Sequence, residues 1–118
     1  MIKKIKIGLI QSKSLGTIQS NIDLAIKNIK KAAKKKAKII CLPELFLTNY
    51  FCQTESHSNF KLAEKIPGTT SRIFCDLAKE LGVVLNITMF EKKTSGFYHN
   101  TSIIINENGN ILSKYRKM

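Results

Sequence analysis

The sequence predicts an α/β protein with a mixed sheet and its elements in the order β-α-β-α-β-β-β. Three observations lead there. Lys38-Ile39-Ile40-Cys41-Leu42 is a short apolar run that stops at Pro43, as a strand buried on both faces would. Before it, Ile18, Ile22, Ala25, Ile26, Ile29, Ala32 and Ala33 recur at steps of three and four, the spacing of an amphipathic helix. Near the end, Asn108-Gly109 separates Ile103-Ile104-Ile105 from Ile111-Leu112, a hairpin signal.

From Lys3 to Gln11, Lys4 and Lys6 alternate with Ile5, Ile7 and Leu9, the period of a first strand in which Gly8 leaves room for close approach. The helix then runs from Ile18 to about Lys36, and its lysines crowd the polar face and the last turn, where cations complement the helix dipole. A short link to the strand at Lys38 makes a βαβ unit with parallel pairing. Leu45 to Glu55 has no clean period. Its Phe46, Tyr50 and Phe51 among polar residues fit either a pocket lining or an ordinary packed loop.

His57 to Lys65 is compatible with a short helix ahead of Pro67-Gly68. Thr69, Thr70 or Ser71 can cap a second long helix whose Ile73, Phe74, Leu77, Ala78 and Leu81 face inward and which Gly82 ends. Val83 to Phe90 reads as the third strand, Lys92 to Gly96 as a turn, Tyr98 to Asn106 as the fourth strand, and the fifth follows the hairpin. A single domain over residues 1–118 is expected, with no repeat or linker.

Composition narrows the class. Hydrophobic content of 43% and charged content of 24% suit a folded globular protein. No apolar run is long enough to span a bilayer and no secretory signal opens the chain, so a cytoplasmic protein without a membrane partner is expected. The net charge of +12 is almost all lysine, with only Arg72 and Arg116 as arginines and no interleaved stacking aromatics. That favours a solvated lysine surface over a basic nucleic-acid-binding domain, the competing reading. Cys41, Cys52 and Cys75 have no metal spacing and are odd in number, so neither a metal site, a cofactor nor a disulfide framework is expected.

Glu44 falls just beyond the carboxyl end of the second strand, where open α/β sheets bind ligands. On position alone it is either a site acid or a solvated glutamate. Leu42-Pro43-Glu44-Leu45-Phe46, Tyr98-His99-Asn100-Thr101 and Lys114-Tyr115-Arg116-Lys117-Met118, in this order and spacing, resemble the carbon–nitrogen hydrolase (nitrilase) superfamily. Tyr50-Phe51-Cys52-Gln53-Thr54-Glu55 and Phe90-Glu91-Lys92-Lys93 are most similar to its N-carbamoylputrescine amidohydrolase branch.

The resemblance implies an αββα sandwich of which this chain is the amino-terminal half, and a catalytic Glu, Lys and Cys. Glu44 matches the general base and Lys117 the lysine that stabilises a tetrahedral oxyanion. Such roles make physical sense, because a fixed charge where negative charge develops is a large catalytic term and a base activates a weak nucleophile. The family's cysteine lies downstream of the lysine motif, and none of the three cysteines here matches it.

The expectation is therefore an amino-terminal piece of a hydrolase, inactive alone, with one sheet face and the edge of the fifth strand uncovered. The implied substrate is a small carbamoyl-amine or amide, first N-carbamoylputrescine hydrolysed to putrescine, carbon dioxide and ammonia. The alternative is another ureido or aliphatic amide, as for a β-ureidopropionase-like enzyme. A homo-oligomer is expected of the intact enzyme, with its carboxyl-terminal half on the same or a separate chain.

Overall fold

This computed structural model describes residues 3–47 and 62–118. Strands β1 (Ile7–Leu9), β2 (Ile39–Cys41), β3 (Val84–Thr94), β4 (Phe97–Ile105) and β5 (Ile111–Arg116) lie side by side in chain order. Helix α1 (Ile18–Lys34) connects β1 to β2, and α2 (Thr69–Leu81) precedes β3. The first three strands are parallel and the last three antiparallel, the mixed sheet and element order that the sequence predicts.

Local chemistry sets the element ends. Thr17 caps α1 reciprocally with Ser20: its hydroxyl accepts from the Ser20 N–H at 3.1 Å, and the Ser20 hydroxyl accepts from the Thr17 N–H at 3.3 Å. The cap of α2 differs from expectation, being Gly68 rather than Thr69, Thr70 or Ser71. Ser71 still does the capping from within the helix, its Oγ accepting from the Gly68 N–H at 2.8 Å, and a Cβ at position 68 would run into the Lys65 carbonyl oxygen. Gly82 ends α2 in the left-handed region, φ 64°, as expected. At Gly8 a Cβ would sit 3.2 Å from the Ala32 Cβ, so the glycine lets β1 lie close against α1.

One core fills the layer between the sheet and both helices. Ile29 of α1 and Phe74 of α2 meet Ile40, Leu85, Ile87 and Ile103 of the strands there, all fully buried. The other face of the sheet is far more open, with Ile7 57% and Leu9 79% exposed. That corrects the expectation of burial on both faces of β2. Ile40 is buried, but Ile39 and Cys41 are only partly so, because both helices pack on the Ile40 side.

Three further boundaries differ, the first being that β1 spans only Ile7–Leu9 of the strand expected from Lys3 to Gln11. Residues 92–94 continue β3 instead of turning, since Lys92 pairs with Tyr98 and Thr94 with Phe97. The suggested helix from His57 to Lys65 lies mostly outside the described residues. At its described end, Glu64 forms a parallel bridge to Glu91. Its N–H donates to the Phe90 carbonyl at 2.9 Å and its carbonyl accepts from the Lys92 N–H at 2.8 Å, satisfying a stretch of β3 that three-residue β2 does not reach. No described helix is long and apolar enough to cross a membrane.

Candidate active site

Beyond β2 the chain turns sharply. Leu42 still donates its N–H to the Asn86 carbonyl at 3.1 Å, but Pro43 has no N–H to give and the ladder stops. Glu44 opens the turn, and Leu45 takes φ 50°, a left-handed conformation unusual for a leucine. The surroundings hold it there. Leu45, Phe46 and Leu47 are buried, Phe46 packs edge-on against Phe74 with ring centres 5.3 Å apart, and Asn21 Nδ2 donates to the Leu47 carbonyl at 2.7 Å. The turn is pinned from the helix layer while the Glu44 side chain stays 41% exposed.

Lys117 arrives from the far edge of the sheet. Its N–H donates to the Asn100 carbonyl at 2.9 Å, carrying the β4–β5 ladder one residue past β5. Its ammonium donates to Glu44 Oε1 at 3.1 Å, although 73 positions separate the two. Asn100 Nδ2 donates to the same oxygen at 2.7 Å. These three residues share an open concavity of about 390 Å³ with Thr88, Ser102 and Tyr115. The Lys117 hydrogen bond, then that of Asn100, hold the Glu44 carboxyl below the usual carboxylate range against the smaller opposing effect of burial.

A second carboxylate lies on the helix side. Glu91, 2% exposed, accepts at Oε1 from Arg116 Nε at 2.8 Å and from Thr101 Oγ1 at 2.8 Å. Its Oε2 accepts from Lys114 Nζ at 3.1 Å and from Arg116 Nη2 at 3.2 Å. Burial pushes this carboxyl up, but the bonds from Arg116, Thr101 and Lys114 together outweigh it and hold the pKa down at about 2. Lys114 also reaches the Ile66 carbonyl at 3.3 Å, fastening the approach to α2.

The structure thus brings Glu44 and Lys117 into contact, on the same face of the sheet. Asn100, Glu91 and Arg116 fall inside the motifs that carry the resemblance, yet sequence reasoning gave them no role. Their only further signal is polarity at strand positions. Cys41 is half-buried on β2, and Cys75 lies on α2, where burial first and Asp76 second push its thiol up. Neither lines the concavity, and Cys52 and the Tyr50 to Glu55 stretch lie outside the described residues. No cluster of three or more His, Cys, Asp or Glu suited to a metal ion occurs among the described residues. What the site offers is a carboxylate that can carry a proton and an ammonium that can face an anion.

A carbon–nitrogen hydrolase family profile matches residues 6–118. An N-carbamoylputrescine amidase of Oryza sativa subsp. japonica is 36% identical over 115 residues, covering 97% of this chain and 38% of that protein. An omega-amidase of Xenopus laevis is 34% identical over 115 residues, covering 98% of this chain and 40% of that protein. The crystal structure of a carbon–nitrogen hydrolase from Helicobacter pylori superposes with a TM-score of 0.90 at 34% identity, over 97% of this chain and 39% of that one. The chain thus spans about two fifths of the length of these relatives.

Proposed function

This chain belongs to the carbon–nitrogen hydrolase family, and we propose that it supplies two of the three working groups of a thiol-dependent amide hydrolase, Glu44 as general base and Lys117 as oxyanion stabiliser. The 3.1 Å contact between residues 73 positions apart carries this reading. The nucleophilic thiol comes from polypeptide outside these residues, on a continuing or a separate chain.

Glu44 takes the thiol proton as sulfur attacks the substrate carbonyl, and the Lys117 ammonium faces the oxygen that becomes negative. As that ammonium turns toward the oxyanion, Glu44 loses the hydrogen bond that does most to lower its pKa, and its proton affinity rises when a base is needed. The proton passes to the departing nitrogen. Glu44 then activates water to cleave the thioester-like intermediate and restore the thiol.

The rice relative favours a carbamoyl-amine substrate, N-carbamoylputrescine, giving putrescine, carbon dioxide and ammonia with uptake of one water. The Xenopus relative supports a second reading, an aliphatic amide whose products are the acid and ammonia. Turnover of both substrates by this chain combined with the thiol-bearing segment separates the two. Loss of all turnover on Glu44→Gln is the expected result, and retained turnover refutes the base assignment.

A further inference from the structure

Both hydrogen bonds to the Glu44 carboxylate end on one oxygen. Asn100 Nδ2 at 2.7 Å and Lys117 Nζ at 3.1 Å converge on Oε1, and no described group donates to Oε2. Asn100 also accepts the Lys117 N–H on its own carbonyl at 2.9 Å, so a single residue of β4 fixes the carboxylate through its side chain and the lysine through its backbone. The amide orientation is dictated by this contact, because only an NH₂ group can face a carboxylate. Its Oδ1 is turned into a buried position where no described donor meets it, an arrangement that Asn100's other surroundings do not favour.

Resting on the reading of Glu44 as base, we propose that Asn100 is a positioning residue that divides the carboxylate's labour: Oε1 is the anchored atom and Oε2 the atom that accepts the proton. A carboxylate held at neither oxygen rotates about its Cγ–Cδ bond and presents its lone pairs over a wide arc. With Oε1 clamped by two donors, one on β4 and one just past β5, rotation stops and one oxygen keeps its lone pairs available. Asn100 is also the donor that stays when Lys117 moves to the oxyanion, so the aim of the base survives the step in which its other partner leaves. The bond from Asn100 contributes to the lowered pKa of Glu44, second to that from Lys117.

The test is a carbon-13 titration of the Glu44 carboxyl in the 118-residue chain, paired with kinetics once the thiol-bearing segment is added. In Asn100→Leu, Glu44 is expected to titrate at higher pH. The kcat falls about tenfold to a hundredfold, the range for one hydrogen bond to a charged group, while KM stays nearly unchanged and the acid limb of the pH–rate profile moves up in step. A structural role alone would lower the melting temperature and leave the titration in place, and that result overturns the proposal. Asn100→Asp keeps the size should the leucine variant not fold. Two carboxylates would then share the site, and Glu44 must titrate still higher; an unmoved titration in this variant is equally fatal. Glu44→Gln separates the two readings: turnover that survives it removes the base assignment, whereas the hold of Asn100 on Oε1 is judged by the titration by itself.

Discussion

Arg116 and Lys117 are chain neighbours whose side chains leave the sheet on opposite faces, and each ends on a glutamate. Arg116 Nε lies 2.8 Å from Glu91 Oε1 on the helix side, and Lys117 Nζ lies 3.1 Å from Glu44 Oε1 on the open side. The alternation of an extended chain makes this possible, since successive side chains point to opposite faces. One pair is shielded and anchors the strand. The other stays accessible, with Lys117 58% exposed, and is available for chemistry.

Glu91→Ala is expected to destabilise the fold by about 3 kcal/mol, near the low end for breaking a buried pair because both cations are partly exposed. Three donors, from Lys114, Arg116 and Thr101, would lose their acceptor at once. Urea unfolding of the two proteins checks this, and a difference below about 0.5 kcal/mol, the scale of an ordinary surface change, would mean that the cluster anchors nothing.

Stability should fall in acid for the same reason. The folded pKa of Glu91, about 2, lies below its ordinary value of 4.5. The unfolded chain therefore binds the proton first. Its contribution is fully present above pH 4.5 and lost as pH drops toward 2. The lowered pKa of Glu44 acts in the same direction. Unfolding midpoints at pH 6 and pH 3 should differ less in Glu91→Gln than in the parent, and equal acid sensitivity in both would contradict the assignment.

Much of the fold could be read from the sequence because periodicity announces it. The stripe from Ile18 to Ala33, the run before Pro43 and Asn108-Gly109 each declare one element by spacing alone. The site was legible only through the resemblance, since nothing local says that Glu44 and Lys117 meet; the pairing of five strands does that. Glu91 falls between the strand and the turn that the sequence predicts because a charged residue at an inward strand position breaks the apolar alternation, and its partners at 101, 114 and 116 are out of local view. The open face of β2 was missed because an apolar run looks the same whether one side or both are covered.

Lys117→Met should behave unlike any change at Glu91. Glu44 and Lys117 are both substantially exposed, so unfolding is expected to change little. Turnover in the assembled hydrolase should drop by about a hundredfold to a thousandfold, as when an oxyanion donor is removed. A variant that loses stability but not rate would reverse the roles given to the two ion pairs.

Phe74→Ala should cost about 3–5 kcal/mol, the usual range for emptying an aromatic site in a core. The residue is fully buried, and Phe46 of the Glu44 turn packs against it edge-on. Amide exchange should accelerate at residues 44–47 more than in β4. Uniform acceleration would show that the turn is held by something else.

Ile7 and Leu9 leave apolar area on the open face, and the chain by itself is expected to self-associate at high concentration. Replacing both with lysine should suppress association in sedimentation experiments with little change in unfolding, since neither belongs to the core. Unaltered association would place the contact surface elsewhere.

The spatial order of the strands matches their order along the chain, which has a kinetic meaning. The meander from β3 to β5 closes over short loops and can zip quickly, whereas the β1 to β3 pairings wait for longer loop closures spanning the helices. Glu44 belongs to the late half and Lys117 to the early one. Their encounter therefore reports completed folding, and a slip of one residue in β5 would turn the lysine toward the helices and abolish it.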